Sequence, residues 1–88
     1  RLGVDLLAAS GHKGLLGPLG TGVLAMTAEA AAALHSVRQG GTGTQSEDTR
    51  QPDELPFKFE AGNLNVPGIM GLAAGVEFLE GESIAAIK

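Results

Sequence analysis

Eighty-eight residues allow one small domain at most, and a chain of that size buries only about 60% of the surface it exposes when unfolded. The absence of cysteine excludes a disulfide framework, a thiolate metal site and a cysteine nucleophile within these residues. A net charge of −4, a pI near 4.9 and no basic run argue against nucleic acid as the main partner.

Hydrophobic content of 43% is too high for a disordered chain, yet three phenylalanines are a thin aromatic supply for a self-sufficient core. Glycine or proline interrupts every long apolar stretch, so no bilayer span is expected. No leader pattern is visible at the start, and a cytoplasmic location is the expectation. The chain opens on Arg1 and stops at Lys88 just as an amphipathic run begins, so a segment of a larger protein is expected.

Val4 to Ala9 (VDLLAA), closed by Ser10-Gly11, has the length and flanks of a buried strand. Gly11 to Gly22 is a glycine-rich loop containing Gly14, Gly17, Pro18 and Gly20; helix is disfavoured there, because each Gly costs about 1 kcal/mol and Pro about 3 kcal/mol relative to Ala. Thr21 to Met26 (TGVLAM) predicts a second strand. Thr27 is a candidate N-cap, with Glu29 in the first turn where the helix dipole favours it. An alanine-rich helix is predicted from Ala28 to about Arg38, with Gly40 as its stop.

Gln39 to Glu54 is polar and by composition reads as a surface loop or a flexible linker, with Gln51 to Glu54 expected at a solvated surface. Pro56 to Glu60 (PFKFE) alternates apolar and charged residues, as a short half-exposed strand does. Asn65 can cap the next helix, with Pro67 in its first turn. That helix is predicted to run to Leu79 or Glu80, with Ile69, Leu72, Ala73, Val76 and Leu79 on one apolar face. Gly68, Gly71 and Gly75 form a small-residue stripe that lets a neighbouring element approach closely. Gly81 is read as the helix stop and Ser83 as the start of another helix.

Lys13, in Ser10-Gly11-His12-Lys13-Gly14, is the residue most suggestive of chemistry. Loops at the ends of buried strands are favoured places for function, and a partly buried lysine amine is a competent nucleophile for Schiff-base formation. Ser10 and His12 flank it with groups able to donate to a phosphate, as can backbone amides beside glycine. From spacing alone a surface lysine in an ordinary turn stands as the other reading. A P-loop is disfavoured, because Lys13 precedes most of the glycines instead of following them. A dinucleotide fingerprint is formally present at Gly20–Ala25 (GTGVLA), but a strand-like run follows it where a helix is required. His12 and His35 show no convergence with carboxylates on a common face, so no metal site is expected, and His35 reads as a helix-surface residue.

The string Ala9-Ser10-Gly11-His12-Lys13-Gly14-Leu15-Leu16-Gly17-Pro18-Leu19-Gly20-Thr21-Gly22 resembles the cofactor-lysine segment of the class V aminotransferases, S-x-H-K-x-x-G-P-x-G-x-G. Gly40-Gly41-Thr42-Gly43-Thr44, followed by Ser46-Glu47, resembles that family's loop across the dimer interface. Phe59-Glu60-Ala61-Gly62-Asn63-Leu64-Asn65-Val66-Pro67-Gly68-Ile69 resembles its F-E-x-G-T-x-N-x-P-G-I segment, with Asn63 where many relatives have Thr. The three motifs occur in the family's order and span nearly the whole chain.

The resemblance implies a part of the large domain of a fold-type I α/β enzyme, a mostly parallel sheet between helices. It implies pyridoxal 5′-phosphate as cofactor, an amino acid as substrate and a homodimer. Lys13 is implied to carry the cofactor as a Schiff base and to exchange the proton at the substrate Cα. Ser10 and His12 are implied to hold the cofactor phosphate, with Gly41 and Thr42 reaching the phosphate of the partner subunit's cofactor. The favoured activity is cysteine desulfurase, which converts L-cysteine to L-alanine and leaves sulfur as an enzyme persulfide. The resemblance places the required cysteine on a later loop. Another class V aminotransferase, a lyase, an epimerase, a non-catalytic phosphate-binding domain and an inert truncated product stand as alternatives.

Overall fold

The computed structural model describes residues 3–41, 47–83 and 85–87. They fall into two compact units: one runs to Ala30 and resumes at Asn65, the other is Ala31–Leu64. Among the described residues no helix is long and apolar enough to cross a membrane.

The first unit contains strands β1 (Leu6–Ser10) and β2 (Gly22–Met26) and helix α2 (Val66–Gly81). The strands pair antiparallel, from Leu6 opposite Met26 to Ser10 opposite Gly22. A further bond, from Thr27 N–H to Asp5 C=O at 3.0 Å, extends the pairing beyond β1. Both strands stand where the apolar runs predict them. The parallel sheet implied by the resemblance is not among the described residues, whose only ladder is this antiparallel one.

The expected burial of the strands is also absent. Leu6, Leu7, Val23 and Leu24 are 42–49% exposed. Successive strand side chains point to opposite faces, so a lone ribbon of apolar residues must bury both faces against other elements, and among the described residues both faces are covered only in part.

Helix α2 starts as its sequence predicts. Asn65 caps it by accepting the Gly68 N–H at 3.1 Å, and Pro67 lies in the first turn, where an amide has no intrahelical partner. It reaches Gly81, one or two residues past the predicted end; the Glu82 N–H then bonds Leu79 C=O at 3.3 Å. Gly81 is thus the last helical residue, not the residue after it. Of the expected apolar face Leu72 is the buried member, at 8% exposure, whereas Ile69 and Ala73 are exposed. Ser83 caps a turn, accepting the Ala86 N–H on Oγ at 3.2 Å.

Helix α1 is Ala28–Ala33. Thr27 caps it as predicted, its Oγ1 accepting the Ala30 N–H at 3.2 Å. The helix stops five residues short of the predicted Arg38, so Gly40 is not its terminator. Val37 is 94% exposed, and no apolar face continues past Ala33 to reward further turns. In addition the Lys58 ammonium donates to Ala31 C=O at 2.7 Å. In a longer helix that carbonyl would receive the amide four residues on, from His35.

The second unit overturns two expectations. PFKFE is not a strand: Phe57–Phe59 form a 3₁₀ turn, closed by Lys58 N–H to Glu54 C=O at 2.8 Å and Phe59 N–H to Pro56 C=O at 3.1 Å. Alternation over so short a run needs a neighbouring strand to become a strand, and among the described residues none pairs with it. Lys58 consequently faces inward at 8% exposure, with its Nζ 5.6 Å from the Phe59 ring centroid. Gln51, expected at the solvated surface, is buried.

Candidate functional site

The Lys13 loop joins β1 to β2 and is folded chiefly by its own backbone. Gly11 anchors it twice: its N–H donates to Thr21 C=O at 2.9 Å, and its C=O accepts from Gly17 N–H at 2.7 Å. Lys13 C=O accepts from Leu16 N–H at 2.9 Å, closing a tight turn around the lysine. Thr21 Oγ1 donates to Pro18 C=O at 2.6 Å. Leu16 adopts φ 55°, a left-handed conformation costing a leucine roughly 1–2 kcal/mol, so the surrounding bonds must hold it there.

Helix α2 supports this loop through its glycine stripe. A Cβ built on Gly75 would stand 2.6 Å from Leu15 O and 3.0 Å from the Leu16 carbonyl carbon and oxygen. A Cβ on Gly71 would stand 3.1 Å from the Pro18 ring, and one on Gly68 2.9 Å from Thr21 Cγ2. In the loop itself, a Cβ on Gly17 would fall 2.7 Å from Leu72 Cδ1, and one on Gly11 would overlap Thr21. The close approach predicted from Gly68, Gly71 and Gly75 is therefore found, and the approaching element is the Lys13 loop.

Ser10 ends β1, and His12 and Lys13 follow within the turn, so the structure brings these three together at one end of the ribbon. All three are exposed. Lys13 is exposed, which agrees with the surface-turn reading that its spacing left open rather than with a partly buried amine. No hydrogen bond joins these three side chains to other described residues. Beside them a Cβ on Gly14 would meet nothing within 4 Å.

Gly41 belongs to the second unit, and Thr42 lies outside the described residues, as do Gly43, Thr44 and Ser46 of the predicted interface loop. Gly40 and Gly41 are tied to the segment that carries the F-E-x-G motif. Gly62 N–H donates to Gly41 C=O at 2.8 Å, and Gly40 N–H donates to Gln51 Oε1 at 3.3 Å. Gly62 has φ 88°, a backbone conformation that favours glycine. Gln51 was missed by the sequence reading; its one available signal is that it is the only carboxamide in the charged run 47–54. His35 is exposed, as expected, but lies beyond the end of α1. It lines a polar hollow of about 460 Å³ together with Gln39, Arg50, Asp53 and Lys58. Among the described residues no His, Cys, Asp and Glu cluster has metal-holding geometry.

The aminotransferase class-V family model matches residues 1–88. The chain is 40% identical over 90 residues to a probable cysteine desulfurase of Methanothermobacter thermautotrophicus, covering 99% of this chain and 22% of that protein. It is 43% identical over 84 residues to a probable cysteine desulfurase of Pyrococcus abyssi, covering 91% and 20% respectively. It is 41% identical over 81 residues to the cysteine desulfurase CsdA of Escherichia coli, covering 90% and 20%. The chain thus spans about a fifth of the length of these curated relatives. With the lysine turn, its glycine support and the Gly40–Gly62 segment all lying inside the matched residues, the chain belongs to the class V aminotransferase family.

Proposed function

We propose that this chain is the cofactor-lysine portion of a pyridoxal 5′-phosphate enzyme acting on an amino acid, with cysteine desulfurase as its activity. The observation that carries the reading is the Lys13 turn: three exposed side chains, a hydroxyl, an imidazole and an amine, none hydrogen-bonded among the described residues, on a loop locked by its own backbone and by α2.

That donor set fits the cofactor. A phosphate needs several donors at once, which Ser10 and His12 supply, and an aldehyde needs an amine, which Lys13 supplies. The open space beside Gly14 leaves room for backbone approach. When bound, the cofactor supplies an electron sink for the pair left behind as a proton leaves the substrate Cα. The chain's own work is then positional. Ser10 and His12 hold the phosphate, the closed Lys13–Leu16 turn fixes where the amine starts, and the Lys13 amine takes and returns the proton at the substrate Cα.

Gly41 and Thr42 are assigned to the phosphate of a partner subunit's cofactor, which makes the enzyme a homodimer. The half-exposed apolar side chains of the β1–β2 ribbon support a place within a larger, mostly parallel sheet between helices. Lys13, exposed here, would then be shielded by elements that this chain does not contain. Among class V activities, desulfurase is favoured by the relatives, which are cysteine desulfurases or probable ones.

The test is turnover by the intact protein with L-cysteine. Equimolar alanine and released or transferred sulfur is expected, lost on Lys13→Ala. Production of pyruvate, of a keto acid paired with an amino acceptor, or of D-cysteine would replace desulfurase by a lyase, an aminotransferase or an epimerase.

A further inference from the structure

We infer that Gln51 is a positioning residue for the phosphate contact of Gly41, an inference that rests on the functional reading above. Two consecutive glycines are among the most conformationally free dipeptides in a chain, and an anion site built from their backbone must first order them. Gln51 supplies that order from a buried position, at 9% exposure.

Its side chain is fully engaged within the second unit. Oε1 accepts the Gly40 N–H, while Nε2 donates to Phe57 C=O at 2.6 Å and to Glu60 C=O at 3.2 Å. Its own backbone N–H donates to Gln39 Oε1. On the other side of the dipeptide, Gly62 N–H holds Gly41 C=O. The peptide unit joining Gly40 to Gly41, which carries the Gly41 N–H, therefore lies between two anchored peptide units. A Cβ on Gly41 would meet nothing within 4 Å, so this anchored backbone stands open on that side.

The arrangement demands one acceptor and two donors from a single uncharged side chain of this reach. Glutamine supplies both; glutamate only accepts, and lysine and arginine only donate. A glutamate here would retain the bond to Gly40 but face the Phe57 and Glu60 carbonyls with a carboxylate.

The test uses the intact protein and two probes, pyridoxal 5′-phosphate and pyridoxal, which lacks the phosphate. The quantity read is the ratio of their dissociation constants by absorbance titration. Gln51→Glu should weaken binding of the phosphorylated probe about ten-fold and leave pyridoxal unchanged, the scale of one misaligned charge-assisted hydrogen bond. Equal weakening of both probes would indicate only a loosened unit, and an unchanged ratio no role at all; either overturns the inference. Should Gln51→Glu not fold, the exposed Gln39→Ala, which removes the acceptor for the Gln51 N–H, should raise the ratio of the pyridoxal 5′-phosphate to the pyridoxal dissociation constant in the same direction by about three-fold. An unchanged ratio there counts against the inference equally. A wild-type protein that binds both probes alike would instead overturn the functional reading on which it rests.

Discussion

Replacing Gly75 by alanine tests whether α2 sets the position of the Lys13 turn. The added Cβ would lie 2.6 Å from Leu15 O, about 0.8 Å inside the start of ordinary van der Waals contact, and the opposing atoms are backbone. Neither side can yield by a rotamer change, so the turn must lift or the helix must shift. Overpacking of this kind costs about 1–3 kcal/mol. Alanine's better helix propensity returns about 1 kcal/mol. The net expectation is a loss of up to about 2 kcal/mol, read as a fall in the denaturant midpoint of the intact protein.

Two other glycines of α2 calibrate the experiment. Gly71→Ala meets the Pro18 ring at 3.1 Å, needs a shift of only a few tenths of an ångström, and should be near neutral. Gly81→Ala meets nothing within 4 Å and should be neutral or slightly stabilising. The stability order is therefore Gly81→Ala, then Gly71→Ala, then Gly75→Ala. A Gly75→Ala protein as stable as Gly81→Ala would refute the claim that the loop is seated on this face.

Three further outcomes are expected. Asn65→Ala removes the cap on Gly68 N–H and should cost about 1 kcal/mol, whereas Asn65→Asp, which keeps the acceptor, should cost little; a chemical denaturation series separates them. Lys58→Met keeps the buried stem but leaves Ala31 C=O without its ammonium donor, and a loss of about 1–3 kcal/mol is expected in the same assay. Lys13→Ala should change stability by no more than about 0.5 kcal/mol, because the side chain is exposed and has no hydrogen-bond partner among the described residues; a large loss by calorimetry would mean that the lysine has a structural role.

The parts legible in the sequence are those governed by local chemistry. Thr27 and Asn65 cap helices because a short side-chain oxygen beside an apolar-periodic run has few better uses. The glycine stripe announced a close approach, although only the structure identified the Lys13 loop as what approaches. The illegible parts depend on distant partners. Nothing in AEAAAALHSVR marks Ala33 as an end, because Lys58, 27 residues beyond the carbonyl it caps, arrives from elsewhere in the chain. Lys58 and Gln51 were assigned to solvent by their polarity, yet each is buried because its polar atoms find backbone partners that no sequence pattern displays. The exposure of the ribbon was misread for the converse reason: apolar composition records what a strand needs to bury against, not whether that partner lies within these 88 residues.

The central claim is that Lys13 carries the cofactor. Borohydride reduction of the intact protein loaded with pyridoxal 5′-phosphate, followed by peptide mapping, tests it at a single atom. The label should fall on Lys13 Nζ and on no other lysine. Label on Lys58 or Lys88, or a protein that takes none, would contradict the account.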